Sequence, residues 1–255
     1  MTATPAGITY IDYLSLDELL TAQKPLSSLH DEMLFIVIHQ TKELWLKQML
    51  HELRFAIQLV GEDSFAPAYK ALSRVSRIQS VMTLSWDVLA TLTPVDYTAF
   101  RDVLGTSSGF QSAQFRELEF RLGIKDDRFL QHYAADSHEH MRLLAALEEP
   151  SLREASHSAL ERAGFDLGDR SEQSLAGAWV QVYRDADRWF ELYQLAEKLV
   201  DLDDALASWR HKHVLTVERI IGTKPGTGGS AGAAYLRSTI DKRAFPELWA
   251  LRAEL

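Results

Sequence analysis

Cysteine is absent from all 255 residues, which excludes disulfides, thiolate nucleophiles, Cys-ligated zinc and iron–sulfur clusters. Any metal must be held by His, Asp, Glu or Tyr. Long apolar runs are missing too: the longest, Met33 to Ile38, is far too short to cross a bilayer. Residues 1–7 carry neither a basic n-region nor an apolar h-region, so a cytoplasmic protein without a membrane partner is expected. Positive charge is in short supply. The formal net charge is −9 and no Lys/Arg cluster exceeds two residues, which argues against nucleic acid and for a small-molecule partner. No Gly, Pro and Ser tract is long enough to separate independent domains, so residues 1–255 are expected to form a single one. No run of strand alternation is convincing.

What is present is helical periodicity. From Ser28 to Val60, Met33, Phe35/Ile36, Leu44, Met49/Leu50, Leu53 and Ile57 recur at three- and four-residue steps, with no Gly or Pro before Gly61. Ala68 to Leu92, Ser174 to Leu202 and Ala205 to Ile221 repeat the pattern, with Pro94 and Gly222 as stops. Shorter helices are expected at Ser15–Gln23, Val95–Leu104, Gln111–Leu122, His138–Ala146 and Ser151–Ala163. The fold class is therefore all-α, a single helical-bundle domain with several long helices. Leu104 to Phe110, Gly164 to Ser171 and Lys224 to Gly232 resist that scheme, and the first and last are candidate binding loops.

The Gly226 to Gly232 loop loosely matches a dinucleotide fingerprint. A helical pattern precedes it, however, and too little chain follows for a βαβ unit. It fits either a flexible connector or bare backbone that closes over a polar ligand with the Thr227 hydroxyl.

The nine histidines are poorly spaced for an all-protein metal site. His138-Glu139-His140 is not H-E-x-x-H, and residues two apart on a helix point about 200° apart. His211 and His213 therefore cannot share one ion, and only Glu154-x-x-His157 fits a di-iron carboxylate pair. A haem changes the requirement, because it brings four ligands of its own and asks for one axial imidazole between apolar helix faces. His39, after Phe35-Ile36-Val37-Ile38, and His211 or His213, beside Trp209, are candidates. Each also fits an ordinary hydrogen-bonded histidine.

Tyr97 and Arg101 share a helix face at i, i+4. Arg101 suits an ion pair on a solvated face or a guanidinium fork for a substrate carboxylate. The six tryptophans are explained as large core residues with a polar handle.

Taken in order, seven segments resemble the tryptophan 2,3-dioxygenases. They are Tyr10-x-x-Tyr13-Leu14, Asp31 to Gln40, Glu43 to Lys47, Phe100 to Gly105, Ser107 to Ser112, Trp209-Arg210-x-x-His213 and Gly226 to Ser230. The resemblance implies haem b, active as Fe2+, and opening of the indole ring of L-tryptophan by O2 to give N-formyl-L-kynurenine. It implies that His213 is the axial iron ligand, three places after the Arg of the Trp-Arg pair, and His39 the distal histidine that accepts the indole N–H.

By the same resemblance Arg101 anchors the substrate carboxylate, Thr227 holds the amino-acid end, and Phe35, Tyr97 and Ser108 line the pocket. Family members are homotetramers in which Tyr10, Tyr13 and Leu14 reach the neighbouring subunit's site, so residues 1–14 are expected to serve a partner copy. The short chain and compact Gly61 to Ala68 connection point to the bacterial branch. A haem carrier without turnover and a purely helical scaffold are the competing readings.

Overall fold

A computed structural model describes residues 7–255, which form helices joined by turns, with no strand among the described residues. In chain order these are α1 (Tyr10–Leu14), α2 (Leu16–Leu19), α3 (His30–Gly61), α4 (Phe65–Leu89), α5 (Pro94–Arg101), α6 (Ala113–Leu122), α7 (His138–Glu148), α8 (Leu152–Arg162), α9 (Glu172–Arg184), α10 (Phe190–Ile221), α11 (Ala233–Arg237) and α12 (Pro246–Ala250). Short 3-10 turns cover Asp102–Leu104, Gly109–Gln111, Asp127–His132 and Leu251–Ala253.

Local chemistry explains most helix starts. Thr93 and Asp96 close a capping box with Pro94 at the first helical position of α5, and Ser151 with Glu154 does the same for α8. Ser112, Ser137 and Ser171 cap α6, α7 and α9 through their hydroxyls. The long helix α3 has no side-chain cap. Instead Asp31 and Glu32 lie in its first turn, where carboxylates offset the exposed N–H groups.

Helices α3, α4 and α10 pack side by side, and their buried stripes supply Met49, Leu53, Ala56, Leu72, Val75, Leu195 and Leu199 to the main core. Trp179 of α9 and Phe245, just before α12, are fully buried in the same core. Each such side chain contributes about 1.5 to 3 kcal/mol on leaving water.

Helix α6 joins the layers through ion pairs to two buried carboxylates. Its Glu117 receives Arg54 of α3 and Arg142 of α7, each at 2.5 Å, while its Glu119 receives Arg116 at 2.6 Å and Arg210 of α10 at 2.7 Å. Arg210 also donates to the Lys242 carbonyl at 2.6 Å. The Arg of the Trp-Arg pair is therefore a brace between α6 and α10.

The helix periodicity misplaces one break. Ser174–Leu202 and Ala205–Ile221 are expected as separate helices, but α10 runs unbroken through Asp201-Leu202-Asp203-Asp204, and the chain turns instead at 185–189. The Asp203 carboxylate is buried and accepts the backbone N–H groups of Ala244 and Phe245, at 2.8 and 3.0 Å, and Trp249 Nε1 at 3.2 Å. A tertiary network therefore satisfies the acidic residue that lies between the two expected helices. Asp203→Asn is expected to cost about 2 kcal/mol, because the amide keeps one acceptor oxygen and turns its NH2 toward at least one of the three buried donors. A urea unfolding midpoint equal to that of the unaltered chain would contradict this.

Candidate active site

Two long helices, the short α5 and two loops bring most of the candidate residues together. On α3, Phe35 and His39 are one turn apart, with ring centroids 4.2 Å from each other. Helix α5 presents Tyr97 and Phe100 to the same cluster, at 5.9 and 5.7 Å from Phe35. Around them Ile38, Leu89, Leu92 and Ile220 form an apolar shell that also buries Trp86. The capping box at Thr93 fixes where α5 begins, and so which of its faces carries Tyr97 and Arg101 inward.

His213 enters this shell from α10. Its imidazole stacks on Trp86 at 4.3 Å and 12° and meets Trp209 at 5.1 Å. Trp209 in turn stacks on Phe115 of α6 at 4.8 Å. His211, two residues earlier, is exposed. The helical offset that bars the two histidines from one ion leaves only His213 in the aromatic cluster.

Burial sets the protonation of these groups. It pushes His213 down to about 3, with repulsion from Lys42 and His39 adding to the effect, and pushes His39 down to about 4. Both imidazoles are neutral at physiological pH, so each keeps one ring-nitrogen lone pair. His39 Nδ1 lies 2.7 Å from the Phe35 carbonyl and donates to it, so its Nε2 keeps the lone pair. Burial also raises Tyr97, against a smaller opposing pull from Arg101.

The two candidate binding loops meet at the rim. Arg101 donates through Nη2 to the Pro225 carbonyl at 2.5 Å, and Thr227 donates its hydroxyl to the Ser107 carbonyl. Gly228 presses against Ser108 so closely that a Cβ there would come 2.6 Å from the Ser108 Cβ. Gly232 has a φ of +59°, and a side chain at that position would meet the Lys224 carbonyl at 2.5 Å. Ser108 caps the Gly109–Gln111 turn, receiving Phe110 N–H on its hydroxyl. The glycine-rich segment is thus closed onto its partner loop rather than a loose connector.

The remaining candidates lie apart. Tyr10, Tyr13 and Leu14 are 74, 74 and 41% exposed on α1, outside the cluster formed by this chain's own helices. Of the 1–14 segment, residues 1–6 fall outside the described residues. The Glu154-x-x-His157 pair is structural: Glu154 caps α8 and pairs with Lys125, while His157 bonds Glu247 at 2.8 Å. No three His, Asp or Glu side chains converge on a metal-sized site among the described residues. Surface depressions beside Trp189 and beside Arg128 contain neither His39 nor His213.

Sequence reasoning assigns no role to Trp86, Trp209 or Lys42. The two tryptophans are the walls against which His213 rests. Lys42 is buried, with its Nζ 2.9 Å from the Trp86 ring centroid. Its signal in the sequence is a charge on the apolar stripe that runs through Phe35, His39, Leu46 and Met49.

The chain is similar to known proteins along nearly its whole length. A protein of Caulobacter vibrioides named tryptophan 2,3-dioxygenase is 60% identical over 259 residues, 97% of this chain and 98% of its own length. One of the same name from Bacillus cereus is 51% identical, covering 98% of this chain and 93% of itself. Tryptophan 2,3-dioxygenase 1 of Ralstonia nicotianae is also 51% identical, over 98% and 88%. The family model described as tryptophan 2,3-dioxygenase matches residues 1–175 and 166–255, and the chain belongs to that family.

Proposed function

We propose that this chain opens the indole ring of L-tryptophan with O2, inserting both oxygen atoms across C2–C3 to give N-formyl-L-kynurenine. Family membership over the whole length supports the reaction. The single observation that carries it to this chain's own residues is the pairing of two neutral imidazoles, His39 and His213, within one aromatic shell.

The residues present suit haem b. Lys42 Nζ, Trp86 Nε1 and Trp209 Nε1 are buried N–H donors without acceptors around His213, a donor set that matches a ligand bearing oxygen acceptors. His213 would hold the iron, with Trp86 and Trp209 fixing the imidazole plane. Bound there as Fe2+, haem supplies the redox step that lets O2 attack a closed-shell indole.

The protein's own contribution is binding and orientation. Tryptophan is a zwitterion with an apolar body, so it needs an aromatic wall, a cation and few other polar groups. Phe35 and Tyr97 supply the wall, Arg101 the cation and Thr227 a hydroxyl for the amino-acid end, with Ser108 shaping the rim beside it. His39 Nε2 accepts the indole N–H and so sets which edge of the ring faces the reacting centre. The closed pair of loops excludes water from that end. Residues 1–255 work as a single domain within a homotetramer, in which Tyr10, Tyr13 and Leu14 complete a neighbouring copy's site. Their exposure on α1 supports that role. Among the described residues no helix is long and apolar enough to cross a membrane, and we place the protein in the cytoplasm.

His39→Ala is expected to retain haem and lower kcat/KM about tenfold, the worth of one hydrogen bond of about 1 to 3 kcal/mol. The pH profile follows from the same residue. Its folded pKa of about 4 lies below the ordinary 6.5, so the acceptor form persists down to about pH 4 and is lost as pH falls through that value. Haem-loaded protein should therefore show no His39 titration in kcat/KM between about pH 5 and 8. A fall centred near pH 6.5 that disappears in His39→Ala would refute the buried, neutral assignment. The function itself is tested by turnover: reduced, haem-loaded protein should convert L-tryptophan, and a chain that binds haem yet leaves tryptophan intact would be a carrier instead.

A further inference from the structure

The shell that brings His39 and His213 together contains a lysine that the proposed chemistry does not use. Lys42 follows His39 by three residues on the same face of α3 and is only 6% exposed. Its Nζ makes no hydrogen bond, and no ion pair reaches it among the described residues. A lysine stem is long enough to carry its charge to water from most helix positions. Here it turns inward and rests on Trp86, the indole that stacks against His213. Trp86 Nε1 and Trp209 Nε1 share its situation, buried and without an acceptor. Three N–H groups therefore surround one imidazole with no oxygen to receive them.

Such an arrangement is costly on its own. An unpaired buried ammonium loses its hydration, and a contact with an indole face offsets only a fraction of that loss. Burial accordingly pushes Lys42 down to about 6, so that without an anion it is mostly the uncharged amine near pH 7. The carboxylates nearest in sequence are engaged elsewhere. Glu32 holds the N–H groups of Leu26 and Ser27, Glu43 receives Gln114, and Asp87 pairs with Lys212. The amino-acid carboxylate of the substrate has a cation of its own in Arg101, on α5 beside the loops.

We propose that Lys42 is the anchor for a carboxylate carried into this cavity by the cofactor, a propionate of haem. This rests on the haem reading given above. Haem b bears its two carboxylates on one edge and apolar groups on the rest of its rim. One buried amine that is charged when paired with a carboxylate thus discriminates that edge from the others and fixes which way round the macrocycle sits. An adjacent carboxylate favours the protonated form of Lys42 and supplies the partner that form lacks, and a charge-assisted bond is about twice as strong as a neutral one.

The test compares haem with its dimethyl ester, in which both carboxylates are masked, on apo-protein followed by the Soret band and by quenching of tryptophan emission. The unaltered chain is expected to bind the free acid more tightly than the ester. In Lys42→Met that preference should vanish, through about thirtyfold weaker binding of the free acid with ester affinity unchanged. Lys42→Arg should restore the preference, and circular dichroism verifies that each variant is folded. Equal affinity of Lys42→Met and the unaltered chain for free haem, or an equal loss with both forms, would overturn the proposal. An unaltered, folded chain that takes up neither form would overturn the haem reading and this proposal with it.

Discussion

His213→Ala protein should emerge from purification folded but without haem, and should bind added haem at least about a hundredfold more weakly than the unaltered chain. Disturbing an outer partner of a metal ligand already costs about 10- to 100-fold, so removing the ligand itself costs more. The fold should persist because His213 belongs to the aromatic cluster around Trp86 rather than to the main core of α3, α4, α8, α9 and α10. Soret absorbance per chain measures the first expectation and circular dichroism the second. Retained haem with retained turnover would move the ligand elsewhere. His211→Ala is the matched control, and because His211 is exposed it should leave both readouts unchanged.

Arg101→Ala is expected to raise KM for L-tryptophan about a hundredfold while haem stays bound. A guanidinium fork closed on a buried carboxylate contributes about 2 to 5 kcal/mol when one partner is removed. Arg101 already donates to the Pro225 carbonyl. That bond employs one of five N–H groups and leaves others for a substrate. The variant also releases the 224–232 loop, so impaired loop closure adds to the loss. Arg101→Lys separates the two effects: it retains the charge without the fork, and only some of the affinity should return. A KM unchanged in Arg101→Ala would remove the carboxylate role.

Much of the fold was legible because helix periodicity and caps are local. The stripe through Met33, Met49 and Leu53 and the stop at Gly61 place α3 to within two residues at its start and one at its end. The break between α9 and α10 falls at 185–189 rather than at 203–204, where Ala244, Phe245 and Trp249 fold back to satisfy the buried Asp203 inside one continuous helix. Partners forty residues downstream leave no mark on a local pattern. The short helices α11 and α12 were missed for a related reason: five residues are too few to register a 3.6-residue period.

The site follows the same division. Phe35 and His39 share a helix face by spacing alone, and so do Tyr97 and Arg101. Spacing also separates His211 from His213 but cannot say which faces inward. In the folded chain that is decided by Trp86, which arrives from another helix. Lys42 was overlooked because a single charge in a long helix ordinarily marks the solvated face, and only packing shows that this one has no route to water.

The central claim is that neutral His39 and His213 flank a haem at which tryptophan is opened by O2. Its most direct measurement is mass spectrometry of the product formed by reduced, haem-loaded protein from L-tryptophan under isotopically heavy O2. One product is expected, tryptophan plus two oxygen atoms, with both heavy labels retained in it when analysed before exchange with water. Unchanged tryptophan, or a product that carries a single label, would contradict it.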